Sequence, residues 1–102
     1  WAQYGIRGWS WDDVLPAFKA IERHEDGESD MHGGEGRLAV SHLPYRHPTT
    51  DAFVAASANL GLRATRDLND GSQEDSAGPI QVTIGNGRRS SSFDAFLKPA
   101  MA

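Results

Sequence analysis

The chain has 102 residues, enough for at most one small domain, and folding a domain of that size buries roughly 65% of the surface that the unfolded chain exposes. Ten Lys and Arg against fourteen Asp and Glu leave a net charge of −4, which argues against a nucleic-acid backbone as the partner. No apolar stretch approaches the ~18 residues of a membrane span, and the absence of Cys removes any disulfide, thiolate nucleophile or Cys-based metal site. The redox compartment is therefore not legible, and a cytoplasmic location is the default expectation.

The opening Trp1-Ala2-Gln3-Tyr4-Gly5 has neither a start Met nor the basic-then-apolar pattern of a signal peptide, and the chain stops at Pro99-Ala100-Met101-Ala102 without a cap. Both ends are expected to be cuts through a longer polypeptide. The first element begins at Gly8-Trp9-Ser10-Trp11-Asp12-Asp13, where Ser10 and Asp13 have the spacing of a capping box. Pro16 predicts a short turn over residues 11 to 15 and a restart with the proline in its first turn, Val14, Leu15, Phe18 and Ile21 forming the apolar stripe.

After Glu22 the composition turns polar and glycine-rich through His32-Gly33-Gly34-Glu35-Gly36, which predicts an exposed loop. Alternation from Arg37 to Leu43 predicts a half-buried strand with Leu38 and Val40 on its inner face, and Pro44 and Pro48 then keep the chain irregular. A second helix is expected from about Thr50 to Leu60, capped by Thr49 or Thr50, packed through Phe53, Ala56, Ser57 and Leu60, and ended by Gly61. Residues 66 to 78 read as a solvated, mobile loop. Ile80, Val82 and Ile84 give the clearest strand, Asn86-Gly87 a turn, and Ser91 with Asp94 a second capping box before Phe93, Phe96 and Leu97.

Several residues carry chemistry in principle. His24, Glu25, His32 and His42 are metal-type ligands, but their spacing matches no zinc pattern, so no metal site is expected. Asp12 and Asp13 suit a first helical turn, and Ser91 suits a cap better than a nucleophile. Arg88 and Arg89 have the forked donors that hold phosphate or carboxylate, against the plainer reading that they flank a turn in water. Trp1, Trp9 and Trp11 read as packing residues rather than a binding surface.

The run Trp1 with Gly8-Trp9-Ser10-Trp11-Asp12-Asp13-Val14-Leu15-Pro16-Ala17-Phe18-Lys19 resembles the W-x-x-x-G-x-x-G-W-x-W-x-x-V-L-P-Y-F-K segment of the flavin-dependent glucose-methanol-choline (GMC) oxidoreductases. His32-Gly33 and Gly36-Arg37-Leu38-Ala39-Val40 are similar to that family's H-G-x-x-G-P-L-x-V. Gly78-Pro79-Ile80-Gln81-Val82-Thr83-Ile84, Gly87-Arg88-Arg89-Ser90-Ser91 and Ala95-Phe96-Leu97-Lys98-Pro99 resemble its G-x-x-x-Q-x-T-x-x-x-G-x-R-x-S-x-x-x-A-x-L-x-P, in the same order. Arg37 stands where the family usually has Pro, and Ala17 where an aromatic is common.

The resemblance implies a parent enzyme that oxidises alcohols by hydride transfer to FAD, nearest the choline dehydrogenase and aliphatic alcohol dehydrogenase branch. It implies that residues 1–102 are an α+β fragment of the substrate-binding domain, with about three helices and at least two strands of an antiparallel sheet. The family's G-x-G-x-x-G phosphate loop precedes this region, and its catalytic His lies near the far C-terminus. His24, His32, His42 and His47 do not occupy that motif, so no catalytic, cofactor-binding or metal residue is expected here. Gln81 and Thr83 are the residues expected to line the substrate cavity.

The partners implied are the remainder of the polypeptide and a small alcohol. The fragment alone is expected to be inactive, to hold no FAD and to self-associate through unpaired strand edges. The competing expectation is a free-standing, non-catalytic interaction domain of the same ancestry.

Overall fold

The computed structural model describes every residue from Trp1 to Ala102, which fall into two compact units: Trp1–Ser41 with Thr83–Ala102, and His42–Val82. The first unit opens with a 3₁₀ turn over Ala2–Tyr4 and continues into helix α1, Trp11–Ile21. The expected capping box forms: Asp13 N–H donates to Ser10 Oγ at 3.2 Å, and Asp13 Oδ2 accepts from Ser10 N–H at 3.0 Å. The predicted break at Pro16 does not occur, because α1 runs through it. The carbonyl that the proline leaves unbonded, four residues back, belongs to the exposed Asp12, where solvent can satisfy it.

Strand β1, Glu22–His24, follows directly and pairs in parallel with β2, Leu38–Val40, with Glu22 opposite Leu38 and His24 opposite Val40. The loop between them is not the freely exposed segment that its composition suggests. His32, Gly33 and Gly36 are buried in it. A methyl group on Gly33 would lie 1.8 Å from the Lys19 carbonyl oxygen, and one on Gly36 would lie 2.2 Å from the Ile21 carbonyl carbon. These glycines are required by close backbone approach to the end of α1, not by turn geometry.

The unit closes with the hairpin of β5, Ile84–Gly85, and β6, Arg88–Arg89, whose turn residues Asn86 and Gly87 have φ of 53° and 70°. Two successive positive φ angles match a two-residue hairpin of the left-handed type favoured by Asn-Gly. Of the strand expected from Ile80 onward, only Ile84 and Gly85 pair within a sheet strand, and Ile80 stays 64% exposed. A π-helical turn over Phe93–Leu97 leads into the short α3, Lys98–Ala100, with Pro99 in its first turn. Ser91 Oγ donates to Asp94 Oδ2 at 2.5 Å and accepts from Asp94 N–H at 3.2 Å.

In the second unit, α2 spans Pro48–Asn59 rather than starting at Thr50. Pro48 begins the helix instead of preventing it, since the first position needs no N–H donor, and His47 is the cap, its Nδ1 accepting from Thr49 N–H at 3.2 Å. Gly61 ends the helix at φ 94° as expected. Two short strands fall at the margins of the supposed loop: β3, Arg63–Ala64, and β4, Ser76–Ala77, paired in parallel. The expected antiparallel sheet is thus realised only in β5–β6. The other two pairs are parallel because the chain between their strands, residues 25–37 and 65–75, is long enough to cross back.

Little apolar surface is removed from solvent. The buried hydrophobic residues are Ala39, Ala77 and Ala95, and no large side chain is fully enclosed. The stripes drawn from periodicity lie largely open, with Phe18 59%, Phe53 67% and Leu60 83% exposed, and Ala39, not Leu38 or Val40, is the inward residue of β2.

Candidate functional site

The most organised polar group lies in the first unit, where β1 meets its glycine loop. Glu22 is half-buried, and its Oε2 accepts from Gly33 N–H at 2.9 Å and lies 3.0 Å from His32 Nδ1. A carboxylate only accepts, so His32 Nδ1 carries the proton. His24 packs against His32 with ring centroids 4.3 Å apart, and its Nδ1 accepts from Asp26 N–H at 3.2 Å. Both imidazoles are buried, His24 at 5% and His32 at 7% exposure.

Backbone bonds close the frame around them: His24 N–H to Gly33 O and Gly36 N–H to Glu22 O, each 2.8 Å, and Ser29 N–H to His32 O, 3.0 Å. Lys19 Nζ ties α1 to the same loop by donating to Ser29 O at 2.6 Å. A carboxylate-oriented imidazole has the form of a general base. The adjoining cavity of about 240 Å³, however, is lined by Pro16, Lys19, Ala20, Glu28 and the glycine loop from Gly33 to Gly36, not by either imidazole. The Glu22–His32 pair therefore serves to hold the loop. Composition alone pointed to an exposed segment here, and the signal that could have found the cluster is Glu22, ten residues before His-Gly at the end of a helix.

The other singled-out residues are dispersed. Gln81 is half-buried, with its Oε1 3.5 Å from Asn69 Nδ2, whereas Thr83 is exposed and its carbonyl accepts from Ser90 N–H at 2.8 Å. They belong to different units. Asp12 is exposed, and Asp13 is held below its ordinary pKa by the Ser10 hydroxyl and the Ser10 backbone. Asp94 is likewise lowered, first by the Ser91 hydroxyl. Ser90 Oγ accepts from Ala39 N–H at 3.1 Å, joining the β5–β6 hairpin to β2. Trp1 and Trp9 meet edge to face at 5.0 Å, and Trp1, Trp9 and Trp11 are 69%, 51% and 59% exposed within this chain. No group of three or more His, Asp or Glu side chains gathers in metal-binding geometry.

Gly33, Gly34 and Gly36 form a glycine-rich run of the type that elsewhere lets a phosphate approach the backbone. Methyl groups there would meet backbone atoms of the chain itself at 1.8 to 2.9 Å. Their space is filled by protein, so these residues do not form a cradle for a flavin pyrophosphate, and no step of flavin chemistry is assigned to them.

Comparison with known proteins gives the setting. The oxygen-dependent choline dehydrogenase of Brucella ovis is 42% identical over 101 residues, 99% of this chain and 18% of that protein. The enzyme of the same name from Sinorhizobium fredii is 41% identical over the same extent. Among solved structures, pyridoxine 4-oxidase from Mesorbium loti superposes with a TM-score of 0.79 at 40% identity, over 94% of this chain and 19% of that one. An FAD-dependent oxidoreductase from Chaetomium thermophilum, 22% identical, shares the fold with a TM-score of 0.80 over 99% of this chain. The chain thus spans 18% of the length of the curated relatives it matches.

A family model described as GMC oxidoreductase matches residues 1–102, and it is that of the N-terminal, FAD-binding region. This corrects the expected placement in the substrate-binding domain. The quoted motifs fix family and order, but nothing in them marks the domain to which they belong. With the model covering the whole chain and the residues at its motifs in place, this chain belongs to the GMC oxidoreductase family.

Proposed function

We propose that the polypeptide containing this chain is an FAD-dependent oxidoreductase that oxidises a small primary alcohol by hydride transfer to the flavin. The observation that carries the reading is identity of 42% to a choline dehydrogenase across 99% of the chain, supported by 40% identity to pyridoxine 4-oxidase. Choline and pyridoxine both present a primary alcohol, which is the chemistry the two relatives' names share. When bound, FAD supplies the hydride acceptor. This chain supplies scaffold: α1, the Glu22–His32 loop and the hairpin fix one another's positions, and Gln81 or Thr83 is the candidate to contact the alcohol.

Residues 1–102 alone are inactive in this reading, because hydride transfer needs cofactor and base positioned against the same carbon. The remainder of the polypeptide is the partner of the exposed Trp11, Phe18, Phe53 and Leu60. Self-association of the isolated chain is expected through the unpaired edges of its two-stranded sheets. The test is to purify the full-length protein with its flavin and add choline, pyridoxine or a simple aliphatic alcohol anaerobically. Bleaching of the oxidised flavin by at least one of them is expected. A full-length protein that carries no flavin, or a chain of residues 1–102 that binds FAD stoichiometrically, would overturn the reading.

A further inference from the structure

Four of the eight arginines line a single cavity of about 510 Å³ in the first unit: Arg23, Arg37, Arg88 and Arg89. Three contacts bring them together. The parallel register places Arg23 opposite Ala39, and Arg37 immediately precedes β2. Gly85 seats directly on Ala39, where a methyl group would come within 2.6 Å of the Ala39 side chain. Ser90 Oγ takes the Ala39 N–H, and the hairpin register then sets Arg88 opposite Gly85 and Arg89 opposite Ile84. Ala39 is the hub through which two separate strand pairs present their cations to one volume.

Charge makes this arrangement unusual for the chain. The net charge is −4, and of the six other Lys and Arg three find carboxylates: Arg46 with Asp51, Arg63 with Asp70 and Glu74, and Lys19 with Glu28. Arg23, Arg37, Arg88 and Arg89 form no ion pair. The single acidic residue of the cavity is Asp94, already bonded to Ser91 Oγ at 2.5 Å. Four exposed arginines lining one volume with a single carboxylate gather like charge, and an anion with two or more charges relieves that repulsion while filling their forked donors.

We propose that this cavity is a binding site for a small multivalent oxyanion, bearing either phosphate groups or several carboxylates, that bridges Arg23 and Arg37 to Arg88 and Arg89. Its volume suits such a ligand with part of its hydration shell. The glycine run Gly33–Gly36 takes no part in it.

The test is calorimetric titration of the flavin-loaded full-length protein with inorganic pyrophosphate and, separately, with citrate. Saturable binding of at least one is expected, weakening as salt rises. The tighter of the two identifies phosphate or carboxylate as the recognised chemistry. R88A/R89A is expected to weaken it at least about tenfold, as loss of charge-assisted bonds does, with flavin absorbance unchanged. If that variant does not fold, R88K/R89K, which keeps the charge but loses the fork, is expected to weaken binding by a smaller factor. Absence of binding by both anions in the full-length protein overturns the proposal, whether acidic residues from elsewhere in the polypeptide fill the cavity or solvent does. Binding unaffected by either variant overturns it equally.

Discussion

Each unit contains a two-stranded parallel pair joined by a polar loop, yet the two loops are held by different physics. Between β1 and β2 the loop is closed by backbone seated on backbone at Gly33 and Gly36 and by a buried imidazole on Glu22. Between β3 and β4 it is closed by Arg63, whose Nη2 donates to Asp70 at 2.7 Å and whose Nε lies 3.2 Å from Glu74 without a hydrogen bond. Local turns add to this, among them Thr65 Oγ1 to Asp67 O at 2.8 Å and Ser72 N–H to Asp70 Oδ1 at 2.9 Å. Steric closure tolerates no added atom and ignores salt, whereas closure by part-exposed charges yields gradually and responds to ionic strength.

The sharpest way to break the comparison is Gly36→Ala. Its methyl group would overlap three backbone atoms of Ile21 and Glu22 at 2.2 to 2.4 Å, none of which can rotate away. A loss of at least about 3 kcal/mol, or failure to accumulate folded protein, is expected on thermal unfolding of the full-length protein. Gly61→Ala is the control: nothing lies within 4 Å of its added methyl, and only the positive φ of 94° is penalised, at a cost of about 1 kcal/mol. Equal effects at the two positions would remove steric closure from the account.

How much of this was legible in the sequence follows the same division. The Ser10–Asp13 capping box, the Asn86-Gly87 turn and the Gly61 stop could be read because each is local chemistry at fixed spacing, whereas Ser91 and Asp94 pair through hydroxyl and carboxylate while Ser92 stands at the N-cap. The Glu22–His32 bond could not, since its partners are linked by a loop whose glycines look identical whether they turn the chain or admit close backbone contact. The short strands β3 and β4 hold two residues each, too few for alternation to register. The arginine cavity was half legible: Arg88 and Arg89 stood out, but Arg23 and Arg37 join them only through Ala39.

A second, smaller effect sharpens the role of the buried pair. Glu22→Ala removes the acceptor of both the Gly33 N–H and the His32 Nδ1–H, leaving two donors in a site where His32 is 7% exposed. The expected cost is about 2 to 4 kcal/mol, with faster amide exchange at Gly33 and Gly36. Glu22→Gln keeps one acceptor oxygen and is expected to recover about half of that loss. Raising the salt concentration should change neither value, in contrast to Arg63→Ala, whose cost of about 1 kcal/mol should shrink with salt.

The smallest effect tests the charged loop through acid. Asp70 is held below its ordinary value near 3.8, first by the Ser72 N–H and then by the Arg63 guanidinium. Because the folded-state pKa is the lower one, the unfolded chain binds this proton first. Asp70 therefore stabilises the fold in full above pH 3.8, and that contribution disappears as pH falls through the folded value. Asp70→Asn keeps an oxygen for Ser72 but abolishes the titration. The variant should exchange its Ser72 and Arg63 amides faster than the parent at neutral pH, and the gap should close on acidification below 3.8. A gap that stayed constant with pH would mean that Asp70 acts only through its shape, and the second loop would then be held, like the first, by geometry rather than charge.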